Sequence, residues 1–391
     1  MKTKNHLAAS GEPEITVITE DKPRELPGEG DAAAQARFDR FAVVMQMFCE
    51  MSEEFYGEEL ELDPADNVKN STATSRCVYS LATLAGSEEP VGFVMAGGST
   101  IEAPDLAYLS VYVRKAYRRH GFASVMLSEV REAVSDWGLK RFYGQIPHPE
   151  TGATGAADAS SGESTESRVS PVSAPGSVPK DAAASFALAH GAVLKQVSVC
   201  SEMSFADRAQ TEALLQELSD VLPADNGEYK IIAQPANEPV EKKYFESLAT
   251  CFNRMASDTP AGDSEEFSSD WTAERVEQML ERRKNSKITH WISVAVHVPT
   301  DEVVAYCTLF TSKPDGFVLQ DDLLVLREHR GNRLGIRLKI EAYKQILAED
   351  TDGLCQGVRT WNAVENEPVL RLNKQMRFQP VSSTGSWEIP L

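Results

Sequence analysis

The sequence predicts an α/β fold class arranged as two domains in tandem, and three observations carry that reading. At 391 residues the chain is too long for one typical core and comfortable for two. Strand-like and helix-like patterns alternate along most of its length. A single offset of 212 residues superposes Val113 on Val325, Arg118 on Arg330, Phe122 on Leu334 and Ala123 on Gly335. It also brings 107–114 onto 319–326, as duplication of a whole domain would.

The elements follow in order. Residues 1–30 are polar and rich in Pro, Gly and Glu, and are expected to stay unstructured. A first domain is expected over 31–205. It opens with a helix at 31–57, where Phe38, Phe41, Met45 and Phe48 recur at spacings of three and four. Strands are expected at 77–85, 90–97 and 107–114, a helix at about 119–137 and a short strand at 141–146. Residues 150–181 are almost entirely Gly, Ala, Ser, Thr, Pro and Glu, and read as a flexible insertion. A small helix at 182–190 and a strand at 192–204 close the domain. A helix within 206–227, stopped by Pro223, links it to a second domain over 228–391. There the order repeats: a strand from Tyr229, helices at 238–256 and 272–285, and strands at 290–298, 302–313 and 317–327. A long helix at 331–349, a strand at 355–362, a helix at 366–376 and the final strand SWEIPL complete it.

Composition narrows the function classes. No run of about 18 uncharged apolar residues exists, so no membrane-spanning helix is expected. The first 30 residues lack the apolar core of a secretory signal, and a cytoplasmic protein is the default expectation. The six cysteines form no CxxC unit and read as reduced buried thiols, not as disulfides or a metal site. A net charge of −20 disfavours nucleic acid and anionic membrane and favours cationic small molecules, amines among them.

The chemistry-bearing pattern is a strand that runs into a Gly/basic turn and then a long amphipathic helix. It reads YLSVYVRKAYRRHGFASVMLSEV in the first half and LLVLREHRGNRLGIRLKIEAY in the second. The first backbone N–H groups of a helix lack partners, and the helix dipole adds positive potential there. Small residues at Gly121, Ala123, Gly331 and Gly335 let a diphosphate approach the backbone, with Arg118, Arg119, Arg330 and Arg333 around it. A plain strand–helix corner with packing glycines and solvated arginines is the alternative reading of either copy alone.

Both segments resemble motif A of the GCN5-related N-acetyltransferases (GNAT), Arg/Gln-x-x-Gly-x-Gly/Ala. Arg118, Gly121 and Ala123 match it; Arg330 and Gly335 match it in the second half, where Arg333 replaces the middle glycine. The segment TWNAVENEPVLRLNKQMRF is similar to the family's T-x-N-x-x-x-N-x-P…N-x-x-x-x-F ending, through Thr360, Asn362, Asn366, Pro368, Asn373 and Phe378. The tandem arrangement resembles that of mycothiol synthase and some actinobacterial members.

The resemblance implies two α+β domains, each a mixed, mostly antiparallel twisted sheet flanked by helices. It implies acetyl-CoA as acyl donor, with pantetheine along the backbone of Val111 to Val113 and of Leu323, Leu324 and Val325. The pyrophosphate would rest on 118–123 and on Arg330, Gly331, Asn332, Arg333, Leu334 and Gly335. Asn362 and Asn366 would bond the cofactor arm or a water, or else cap the helix that follows. It implies direct attack of an amine on the thioester, which needs a neutral amine, an oxyanion donor and a proton for the leaving thiolate.

Asp321 and Asp322 lie on the cofactor strand of the second half, on opposite faces by strand alternation. They are either a solvated strand entrance or the catalytic carboxylates at the acceptor amine. Ala107 to Ser110 carries no carboxylate, so the C-terminal half is the expected catalyst. Glu328 and His329 are expected to set the loop. His148, beside the insertion, is expected at the surface. Many family members donate the final proton from a Tyr; that position here holds Asn373. The expected activity is acetylation of a small-molecule amine by a monomer or homodimer. A non-catalytic acyl-CoA sensor or scaffold, and a protein N-acetyltransferase, are the alternatives.

Overall fold

A computed structural model describes residues 2–6, 14–57, 60–101, 103–149, 167–223, 227–264, 270–284 and 286–391. In chain order the regular elements are β1 (Lys2–His6), β2 (Ile15–Asp21), α1 (Ala32–Tyr56), α2 (Pro64–Lys69), β3 (Ser75–Leu84), β4 (Pro90–Ser99), β5 (Leu106–Val113), α3 (Phe122–Ala133) and β6 (Arg141–Pro149). Next come β7 (Arg168–Val169), β8 (Val178–Pro179), α4 (Ala182–Ala189), β9 (Val193–Ser204), α5 (Arg208–Val221) and β10 (Tyr229–Ala233). The remainder comprises α6 (Phe245–Asp258), α7 (Ala273–Lys284), β11 (Thr289–His297), β12 (Glu302–Thr311), β13 (Phe317–Val325), α8 (Leu334–Glu349), β14 (Gly357–Ala363), α9 (Glu367–Gln375) and β15 (Gln379–Pro390). Helix starts follow local chemistry: the carboxylates of Asp31, Asp181 and Asp207 accept from Ala34, Ala184 and Gln210 backbone N–H groups.

The contacts divide the chain into two compact units. The first holds residues 1–146, 181–194 and 386–391; the second holds 147–180 and 195–385. In the first, the strands run in the order β1-β2-β3-β4-β5-β6, antiparallel except for the β5–β6 pair. Helix α1 buries Phe41, Val44 and Met47 against Tyr79, Leu81 and Phe93. In the second, the order is β9-β14-β13-β12-β11-β10, again antiparallel except for β13–β14. Period-2 alternation gives its sheet two apolar faces. Ile292, Val294 and Val296 meet α6 and α7, while Trp291 and Ala295 join the cluster of α8 and α5. Each sheet is therefore mixed, mostly antiparallel and flanked by helices, as the sequence led us to expect.

Four segments depart from the sequence reading. Within the supposed tail 1–30, β2 is a strand: Ile15 and Val17 are buried and pair with Leu84 and Ala82 of β3. The alternating β-branched run ITVITE was hidden in the polar average of its surroundings. Of the supposed insertion, 150–166 lie outside the described residues, whereas 167–181 form the β7–β8 pair with Val178 buried. Helix α5 is no mere linker, because Leu214 and Leu215 sit in the core with Ile340 and Tyr343. Residues 195–204 count with the second unit, where β9 pairs with β14 from Ser198 to Ser204, and 386–391 count with the first. Strand edges need hydrogen-bond partners, and chain order does not say which edge supplies them. Among the described residues, no helix is long and apolar enough to cross a membrane.

Because Ile15 is essentially inaccessible, Ile15→Ala is expected to lower the unfolding free energy by about 2–4 kcal/mol. A urea titration showing an unchanged midpoint would contradict the placement of β2 in the core.

Candidate functional site

The strand ladders open a gap at equivalent places in the two units. Strand β5 pairs in parallel with β6 only from Leu106 to Tyr108, although it continues to Val113. Strand β13 pairs with β14 only from Phe317 to Gln320 and continues to Val325. Beyond those points one side of the strand leaves its backbone groups without a strand partner, which suits an extended ligand lying alongside. Val111 and Val113 occupy this stretch in the first unit, paired on their other side with Val94 and Gly92. Leu323, Leu324 and Val325 occupy it in the second, paired with Cys307, Tyr306 and Ala305.

The turn after each strand has the same backbone conformation. Arg119 and Gly121 take positive φ (73° and 80°), and so do Gly331 and Arg333 (90° and 60°) at the matching positions. The glycine has changed places, but the two left-handed residues remain. Arg333 thus keeps a conformation that L-residues resist. A methyl added at Gly121 or Gly331 would meet nothing within 4 Å. Gly335 differs, since a methyl there would approach Leu372 to 3.2 Å; its smallness serves packing of α8 on α9. Ala123 carries that methyl in the first unit, and Leu334 at the start of α8 is buried.

The two motif arginines do the same structural task. The Arg118 Nε donates to the Val113 carbonyl at 2.8 Å, and its Nη2 to Glu54 near the end of α1 at 2.6 Å. The Arg330 Nε donates to the Val325 carbonyl at 3.0 Å, and its Nη2 to Asp258 at the end of α6 at 2.7 Å. Asp258 also pairs with Arg327 at 2.8 Å. These guanidiniums tie turn, strand and helix together. The Asn332 amide donates to the Tyr229 hydroxyl at 3.1 Å, and that hydroxyl also meets His329 Nδ1 at 3.0 Å. His329 therefore sets the loop. His148 is fully buried, contrary to the surface position expected for it.

Asp321 and Asp322 lie at a β-bulge. Cys307 pairs with Leu323 and Leu309 with Gln320, so both aspartates stand opposite Thr308. The extra residue breaks the alternation expected of the strand. Gln320 accepts from the Tyr343 hydroxyl at 2.8 Å on the α8 face, whereas Asp322 accepts from Tyr306 at 2.9 Å on the α6–α7 face. The Asp321 side chain is exposed and Asp322 half-buried, and both carboxylates feel the charge of Arg283 on α7. Partial desolvation by the surrounding protein raises both carboxyls, although Asp321 reaches the surface. Burial and the Asp321 charge push Asp322 up to about 6, against the Tyr306 hydrogen bond and Arg283. The corresponding β4–β5 register in the first unit runs without a bulge from Gly92↔Val113 to Gly97↔Tyr108.

A buried polar chain approaches the same gap. The Lys339 ammonium donates to Asn373 Oδ1 at 2.6 Å, and Asn373 Nδ2 donates to Asn362 Oδ1 at 2.7 Å. Asn362 lies on β14 beyond its last pairing with β13. Burial lowers Lys339 to about 8. Asn366 occupies the N-cap position of α9, but its side chain makes no capping bond. The sequence reading did not single out Arg283, Tyr306, Asp258, Glu54 or Lys339. Lys339 had a signal, a cation in line with Gly335, Ala342 and Ile346 on the apolar stripe of α8.

With this geometry in view, the comparisons are direct. Residues 44–156 match the model of the acetyltransferase (GNAT) family. That match covers 113 of the 391 residues, and over the rest of the chain the likeness is one of fold. The fold over both units is that of a tandem GNAT protein from the clavulanic acid biosynthesis pathway, at a TM-score of 0.67 and 17% identity, covering 96% of this chain and 98% of that one. A GCN5-related N-acetyltransferase from Sphaerobacter thermophilus aligns at a TM-score of 0.53 and 13% identity, covering 96% of each chain. No curated protein sequence matches. These likenesses establish the tandem GNAT fold, in which β5 and β13 are the diverging strands and α3 and α8 the helices of the Gly/basic turns.

The loop conformation yields a stability contrast between the two left-handed positions of the second GNAT turn. Gly331→Val places a β-branched residue at positive φ and should cost about 1–2 kcal/mol. Arg333→Gly should stay within about 0.5 kcal/mol of the parent, since relief of backbone strain offsets added freedom in the unfolded chain. Chemical denaturation of both variants reads the difference; equal losses would remove the strain argument.

Proposed function

We propose that the protein transfers an acetyl group from acetyl-CoA to the primary amine of a small molecule, and that the second unit is the catalyst. The β-bulge at Asp321 and Asp322, beside the point where β13 leaves β14, carries this reading. The first unit keeps the splayed strands and the turn but has neither bulge nor carboxylates there, with Leu109 and Ser110 at the matching positions. We assign it coenzyme binding or a structural task without turnover.

In this reading the donor's pantetheine arm runs along Leu323 to Val325, and the thioester reaches the bulge. The Asp322 N–H is taken by the Thr308 hydroxyl at 3.2 Å, so the donor that stabilises the oxyanion formed as the amine attacks is a backbone N–H on the side of β13 that β14 has left. Asp322 takes a proton from the incoming ammonium. Its raised pKa suits a base working near neutrality, and the Tyr306 hydroxyl holds its orientation. The nitrogen–carbon bond forms, the carbon–sulfur bond breaks, and the thiolate needs a proton. Asn373 occupies the place of the family's tyrosine and cannot supply that proton itself. The proton that the nitrogen sheds as the amide forms passes through water to the thiolate, which leaves as the free thiol of CoA.

Three measurements bear on this. Isothermal titration should show acetyl-CoA binding, and no heat at millimolar ligand would end the proposal. Asp322→Asn still accepts the Tyr306 hydroxyl, keeps acetyl-CoA binding, and should lower kcat/KM by roughly a hundredfold or more. The wild-type kcat/KM should fall on the acid side with an apparent pKa near 6, the protonation point of Asp322. A carboxyl whose folded pKa is raised favours folding when protonated, and that contribution is lost as pH rises through its folded value. The same Asn variant should therefore melt higher than the parent at neutral pH. A variant of full activity, or one that melts lower, contradicts the role.

A further inference from the structure

We propose that the amine acceptor also carries a carboxylate, bound by Arg283, so that the substrate is an amino-acid-like zwitterion. This rests on the acetyl-transfer reading above and specifies its acceptor.

Arg283 stands in the last turn of α7 and is half-buried. Among the described residues, no hydrogen bond or ion pair engages its guanidinium. It lines a shallow, open depression together with Asn237, Glu238, His290 and Trp291. A guanidinium does not deprotonate in proteins, and a partly desolvated one is costly without an anion on its donors. The carboxylates whose charge it feels, Asp321 and Asp322, attract it without reaching ion-pair distance. Once an ammonium occupies the aspartates, their pull on Arg283 weakens further. A carboxylate on the same small molecule would restore the balance, and its two oxygens match the guanidinium fork.

The surroundings favour a single negative charge. Burial and the neighbouring Arg283 lower His290 to about 4, so it is neutral at physiological pH and adds no second cation. Asn237 is occupied in clamping the His290 backbone, accepting its N–H at 2.8 Å. The Glu238 carboxylate lies exposed at the rim, where water screens it. A phosphate dianion would bring two charges to one arginine.

The test uses the full chain, acetyl-CoA and matched probes that share an amine: L-serine, L-methionine, L-lysine and L-glutamate, with their carboxamides and decarboxylated amines. Release of CoA thiol gives kcat and KM. At least one free acid should show a KM at least tenfold below that of its carboxamide. Arg283→Met should erase that preference mainly through KM, whereas Arg283→Lys should retain part of it. Equal use of acids and carboxamides, turnover of simple amines alone, or a preference that survives Arg283→Met would each overturn the inference and leave acetyl transfer intact. Turnover of none of the probes by a chain that binds acetyl-CoA also overturns it. Failure to bind acetyl-CoA removes the underlying reading instead. Should Arg283→Met not fold, the wild-type pairs and Arg283→Lys decide.

Discussion

The second unit is organised around what happens to strand β13 at residue 321. On one side its parallel ladder with β14 has just ended at Gln320; on the other its antiparallel ladder with β12 admits an extra residue opposite Thr308. A backbone freed on the β14 side presents hydrogen-bonding groups that the sheet does not use, while on the bulged side the Asp322 N–H is taken by the Thr308 hydroxyl. The same bulge moves Asp322 onto the face of Tyr306 and Arg283, so a defect in pairing becomes a point where ligand backbone, carboxylate and cation can meet. The rest of the unit serves that geometry: α8 and α9 buttress β13 and β14 from one face, and α6 and α7 bring Asp258 and Arg283 from the other.

Much of this was legible in the residues, and the reasons are local. Strand–turn–helix order follows from period and turn chemistry, and the 212-residue offset exposed the duplication without reference to structure. Asp321 and Asp322 could be read as carboxylates on the cofactor strand. Their shared surroundings could not, because a bulge is settled by how two strands fit, and Asp-Asp in an otherwise alternating strand looks like one residue on each face. Arg283 was invisible for the opposite reason: it sits in the charged run ERRK, which reads as a solvated helix end. Strand β2 was lost to averaging over a polar segment. The regrouping of 195–204 with the second unit depends on which sheet edge accepts a strand, and composition holds no information about that.

The first unit shares the motif of the second without the carboxylates that stand beside it there. Its Arg118 is engaged with the Val113 carbonyl and Glu54, as Arg330 is with the Val325 carbonyl and Asp258. Its left-handed residues, 119 and 121, are those of 331 and 333 with the glycine moved. Both features are demanded by the turn itself. The chain must leave a strand, reverse, and start a helix packed on the same sheet, and the guanidinium fastens the three pieces. A match to the family pattern in residues 44–156 therefore testifies to fold and is silent about turnover. What separates the units chemically lies outside the motif: the bulge, the two carboxylates, the tyrosine beneath them, and a lysine at 339 where the other copy has Leu127. Burying that lysine costs folding energy that a leucine would not. Part of that cost is offset by the Lys339 bond to Asn373 and by the Phe378 ring beneath the ammonium, and Asn373 in turn links the charge to Asn362, on the stretch of β14 that β13 has left.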